Sequence, residues 1–106
     1  VRQLYHHGWS DEKGGVFVKS LSPDGSDITI TYNGLLNKCG ANQVFLHGGF
    51  GDPTHWKSVE DFRMQQTPEG WKKTLNMEDN QLTFCFRDTA DNWDNNYGYN
   101  WTYKSF

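Results

Sequence analysis

Apolar and polar residues alternate in short runs along most of the chain. In Ile28-Thr29-Ile30-Thr31-Tyr32-Asn33 the large apolar side chains share one face, because successive strand residues point to opposite sides of a sheet. The turn-forming Ser22-Pro23-Asp24-Gly25 leads into this strand, and Gly34 ends it. Runs at Gln43–His47, Val59–Met64, Trp71–Met77 and Leu82–Arg87 predict further strands. Val16–Lys19 adds an early one, and Tyr99–Tyr103 closes the chain with Tyr99, Trp101 and Tyr103 on one face. Between the runs, Gly48-Gly49-Phe50-Gly51-Asp52-Pro53, Pro68-Glu69-Gly70 and the Asn/Asp-rich Asp88–Asn96 carry turn chemistry. No segment reads as a helix of two turns or more. Short strands with turn signals about every ten residues predict an all-β, immunoglobulin-like antiparallel β-sandwich. Residues 1–24 read as an N-terminal leader or early strand packed on the domain, and residues 25–106 as the sandwich itself.

Length and charge narrow the picture. The 106 residues suit one domain, and 16% aromatic residues exclude a disordered tail even at a mean hydropathy of -0.85. Ten Lys and Arg against 13 Asp and Glu leave a net charge of -3, without the basic excess that nucleic acid or an anionic membrane surface requires. No apolar run approaches the ~20 residues of a bilayer span. A chain that begins with Val1 fits a processed or excised piece, so localisation stays open. Cys39 and Cys85 are either one disulfide or two free thiols, with free thiols favoured; neither belongs to a CxxC or Cys/His ligand cluster.

Enzyme readings find little support. His47-Gly48-Gly49 has the look of an esterase oxyanion loop, but the chain has no G-x-S-x-G elbow. Gly48, Gly49 and Gly51 lack the spacing and the following helix of a phosphate-binding loop. Asp88, Asp91 and Asp94 sit together in one loop rather than on two sides of a cleft, as a glycosidase pair must. The same three offer oxygen ligands for calcium, without the glycine or the closing Glu of an EF-hand. His6, His7, His47 and His55 have no zinc-motif spacing and read as solvated side chains, and no cofactor is called for.

The tryptophans separate into two groups. Trp71 and Trp101 belong to alternating strands and read as core. Trp56 and Trp93 lie in polar, turn-rich loops, where an indole either lids the sandwich or forms an exposed platform. A platform suits a sugar: the C–H faces of a pyranose stack on an aromatic ring while Asn and Asp bond its hydroxyls, and Trp93-Asp94-Asn95-Asn96 supplies both. His47 shares parity with Gln43 and Phe45, opposite Val44 and Leu46, and so turns away from the face that those two bury.

An ordered series then becomes recognisable: Ile28–Tyr32; Gly34-Leu35 leading to Cys39-Gly40-Ala41; Val44-Phe45-Leu46-His47-Gly48-Gly49-Phe50-Gly51; Trp56; Met64; Gly70-Trp71; Leu82-Thr83-Phe84-Cys85-Phe86-Arg87-Asp88; and Trp93-Asp94-Asn95-Asn96-Tyr97-Gly98. This series resembles the family 25 starch-binding modules appended to amylases and the related family 53 modules of plant starch synthases. The resemblance implies an immunoglobulin-like sandwich that binds α-1,4-linked glucans such as starch, maltooligosaccharides or glycogen without catalysis. It implies a module covalently part of a larger protein, such as a glycoside hydrolase; a monomer is expected, since nothing in the edge runs demands a dimer. It also implies a shallow cradle of His47, Trp56 and Trp93, with Asn95, Asn96 and Asp94 as polar partners. Paired cysteines would suit an exported amylase, which the resemblance favours, and reduced ones a cytoplasmic glycogen-handling protein. The competing reading is an immunoglobulin-like spacer or protein-interaction domain in which Trp56 and Trp93 cap the core or meet a protein.

Overall fold

The computed structural model describes residues 8–51 and 57–104. Sheet A runs in the order β1 (Gly8–Asp11), β2 (Val16–Ser20), β3 (Asp27–Tyr32), β7 (Gly70–Asn76), β6 (Gln65–Thr67). Sheet B runs β10 (Trp101–Lys104), β8 (Gln81–Asp88), β4 (Val44–Phe50), β5 (Lys57–Arg63), with a short β9 (Trp93–Asp94) also paired to β8. Every pairing is antiparallel. The fold is the expected immunoglobulin-like sandwich, with one helical turn, α1 (Leu35–Lys38), after Gly34.

Alternation explains the packing. Ile28, Ile30 and Tyr32 of β3 face inward from sheet A with Val16 and Val18, and Val44, Leu46, Leu82, Phe84 and Phe86 face them from sheet B. Burying each such side chain contributes ~1.5–3 kcal/mol. Trp71 and Trp101 are core residues as expected, at 2% and 3% exposure. Their indole N–H groups are satisfied by Asn37 Oδ1 and Asp11 Oδ2. The second of these bonds ties β1 to β10 across nearly the whole chain.

Gly8–Asp11 and Val16–Ser20 enter sheet A as β1 and β2. Between them Gly15 adopts φ +73°, and a Cβ there would lie 2.3 Å from the Asn33 carbonyl oxygen. The predicted turn at Ser22–Gly25 is present: Gly25 N–H donates to Ser22 O, and Asp24 Oδ1 accepts from Ser22 and Ser26.

Three sequence expectations change. Gly48 and Gly49 lie inside β4, paired with Phe84 and Thr83, and a bulge between Gly48 and Phe50 carries the strand past them. The turn expected at Gly48 and Gly49 is therefore strand. Asp88–Asn96 is not all turn, because β9 interrupts it. Tyr99 does not share the face of Trp101 and Tyr103: the left-handed φ of +57° at Asn100 starts the strand two residues later, and Tyr99 stands 84% exposed.

Candidate functional site

The outer face of sheet B is assembled by register. Phe45 and His47 alternate outward on β4; across β5 they meet Arg63 and Asp61, and across β8 they meet Arg87 and Cys85. Trp93 of β9 pairs with Arg87 and so arrives on the same face. Its ring stands edge-on to His47, with centroids 5.3 Å apart and planes at 87°. The indole keeps 45% of its surface exposed.

Charged groups hold these rings in place. Arg87 Nε and Nη2 donate to Asp61 Oδ2 at 3.2 and 2.8 Å, and Asp61 Oδ1 lies 2.8 Å from His47 Nδ1. A carboxylate only accepts, so His47 Nδ1 carries the proton in this pair. The Arg87 guanidinium lies over Phe45 at 4.7 Å and near Trp93 at 6.0 Å, within reach of a cation–π contact with both. Hydrogen bonds from Arg87, and after them from His47, hold the Asp61 carboxyl below the usual carboxylate range. The same pairing raises Arg87.

Asp61, His47 and Cys85 lie across three adjacent strands and have the residue types of a nucleophilic triad. The thiol speaks against it. Burial above all, then the negative charges of Asp61 and Asp94, push Cys85 up to about 11, the reverse of thiolate activation. Cys39 is exposed, and neither cysteine is in a disulfide.

The loop after β9 is anchored from the core. Tyr32 OH donates to Asp94 Oδ2 at 2.5 Å and accepts from Leu36 N–H at 3.0 Å, while its ring stacks on Phe86 at 3.9 Å. Burial first, then the bond to Asp94, drive the Tyr32 phenol well above its ordinary range. Asp88 instead closes the turn that leads into β9. Its carboxylate accepts from Ala90 N–H, Asn92 N–H and Asn92 Nδ2, and is thereby held low. Two of the three aspartates weighed for calcium or glycosidic chemistry thus serve separate parts of the loop. Among the described residues no group of three or more His, Cys, Asp or Glu is arranged around a metal.

Asn95 and Asn96 reach a different surface from His47. With Trp93 and Asp94 they line a cleft of about 600 Å³, closed on its other sides by residues of the β1–β2 turn and by Leu35 and Lys38 of α1. Asn95 Oδ1 accepts from Gly98 N–H and Asn96 Nδ2 donates to Asn100 O. Their other amide atoms, Asn95 Nδ2 and Asn96 Oδ1, remain as a donor and an acceptor. Of the predicted site residues, the structure brings His47 and Trp93 into contact and Trp93, Asp94, Asn95 and Asn96 around the cleft. Trp56 lies outside the described residues, as do His6, His7 and His55.

Sequence reasoning missed Asp61 and gave Arg87 and Phe45 no role. Parity placed Phe45 on His47's face, but no linear signal brings Arg87 there or marks Asp61, both of which arrive through strand register.

A small two-sheet sandwich that presents aromatic rings beside fixed hydrogen-bonding groups has the build of a carbohydrate-binding module. Residues 28–86, more than half of the chain, match the family model of starch/carbohydrate-binding modules, family 53, and the chain belongs to that family. The family is one of non-catalytic binding modules. The match contains His47 and stops short of β9, so Trp93, Asn95 and Asn96 rest on their geometry alone. No curated protein and no solved structure matches the chain significantly.

Proposed function

We propose that this domain binds α-1,4-linked glucans, including starch, maltooligosaccharides and glycogen, and holds a larger protein that carries it on that substrate. The observation that carries the reading is the half-exposed Trp93 indole, set against His47 and braced by the Arg87–Asp61 pair. A pyranose face stacks on Trp93, and Trp56 serves as the second platform of the cradle. Asn95, Asn96 and Asp94 supply bonds to sugar hydroxyls, with Asp94 also positioning the loop through Tyr32. Family membership supports a starch or related carbohydrate ligand.

A shallow site with two or three platforms gives modest affinity, with Kd from about 10 μM to 1 mM. Titration with maltoheptaose, followed by tryptophan fluorescence and calorimetry, tests the reading against cello- and xylooligosaccharide controls. Saturable binding of the α-glucan alone is expected. Trp93→Ala should abolish measurable binding while the melting temperature holds, and unchanged affinity in that variant would refute the site.

A further inference from the structure

The segment Trp93–Asn100 combines two features that folding alone does not explain. Asn96 and Asn100 adopt left-handed φ values of 58° and 57°, which Asn tolerates, and Gly98 joins them at 93°; Tyr97 sits between them at 56°, a region unfavourable for a residue of its kind. The strained turn is braced from within: Gly98 N–H donates to Asn95 O, Tyr99 N–H to Asn96 O, and Asn100 N–H to Asn95 O at 2.7 Å. What it displays is Tyr97, 98% exposed at the rim of the cleft. A stiffened loop that spends conformational energy to hold an apolar ring in water is organised for a ligand rather than for the core.

The cleft adjoins the His47 surface through a shared side chain. Trp93 meets His47 on the sheet face and also lines the cleft, which Tyr97, Leu35 and the Asn95–Asn96 amides border. At about 600 Å³ it falls within the ~300–1,000 Å³ range of small-ligand sites and is roomier than one hexose ring requires. Its mixed lining, with one unused amide donor and one unused acceptor beside aromatic and aliphatic surface, matches the alternating hydroxyl and C–H character of a sugar.

The geometry points to an extended binding path: a glucan seated at His47 and Trp93 continues over Trp93 into the cleft, where Tyr97 is a further stacking platform. This rests on the glucan-binding reading and adds to it a dependence on chain length. Short oligosaccharides fill the His47–Trp93 part and its Asn95–Asn96 edge, and only longer ones reach Tyr97 at the far rim.

Calorimetric titration of the wild-type domain, Tyr97→Ala and Tyr97→Phe with maltotriose and with maltoheptaose tests it. Tyr97→Ala should weaken maltoheptaose roughly 3–10-fold, the value of one stacking contact, and maltotriose less than about twofold. Tyr97→Phe keeps the ring and should retain wild-type affinity for both. An equal loss for the two sugars, or none for the longer one, overturns the extended path and leaves the proposed function standing. Failure of the wild-type domain to bind either sugar overturns both.

Discussion

Tyr32, Phe84, Phe86 and Trp101 inside the sandwich and Trp93, Tyr97 and Tyr99 outside it are the same kind of residue put to opposite uses. The inner set forms a continuous chain of ring contacts: Tyr32 stacked on Phe86 at 3.9 Å, Phe86 tilted against Trp101 at 5.4 Å, Trp101 stacked on Phe84 at 6.2 Å. Strand alternation puts these rings where water is excluded, and the hydrophobic effect holds them there. The outer set is held by directional forces: the Arg87–Asp61–His47 pairs, the Tyr32–Asp94 bond and the left-handed loop after β9. Removing an inner ring should damage the fold, whereas removing an outer one should damage binding.

The largest expected effect is on the inner side. Trp101→Ala should cost ~3–5 kcal/mol in denaturant unfolding, because it opens a cavity and also leaves Asp11 without its indole donor. Trp93→Ala should leave stability nearly unchanged while glucan binding is lost. If the two variants lost stability equally, the division between inner and outer aromatics would fail.

Tyr32→Phe sits between the two regions. It keeps the stacked ring but leaves Leu36 N–H without its acceptor and Asp94 Oδ2 without its donor. A stability loss of about 1–3 kcal/mol is expected, together with a severalfold weaker glucan affinity as β9 loosens. Normal affinity in that variant would show that the loop holds Trp93 without help from the core.

Acidification should produce the smallest effect and should fall on the outer groups. Asp61 is held low by Arg87 first, Asp88 by its bonds from Asn92 first, and Asp24 down to about 2 by Ser26 and Ser22. A carboxyl depressed in the folded state contributes stability above its unfolded pKa, near 4, and loses it as pH falls through the folded value. Melting temperatures should therefore hold above about pH 5 and decline below about pH 4, with a shallower decline in an Asp61→Asn, Asp88→Asn variant. A decline of the same steepness in that variant would assign the acid sensitivity elsewhere.

Legibility follows the same division. The alternation around Ile30, Leu46 and Phe84 is readable because burial on a sheet face repeats every second residue, and His47's outward turn follows from it. The strands Gly8–Asp11 and Gln65–Thr67 are not, because four and three residues offer too little alternation to stand out. Tyr99 departs from its expected face because a left-handed Asn100 leaves no trace in a hydrophobic pattern.

The sequence by itself determined the all-β architecture, the two core tryptophans and the half-exposed setting of His47, all consequences of local periodicity. Its polar, turn-rich loop singled out Trp93 with Asp94, Asn95 and Asn96, and the family resemblance pointed to the same segment. Only the tertiary structure decided that Asp61 braces His47 across one strand pair, that Arg87 spans Phe45 and Trp93, and that Tyr32 anchors Asp94. The physical reason is that such contacts depend on which strands pair, in what register, and how the two sheets pack. Register brings Asp61 to His47, the packing of sheet A on sheet B brings Tyr32 of β3 to Asp94 of β9, and no short stretch of sequence encodes either choice.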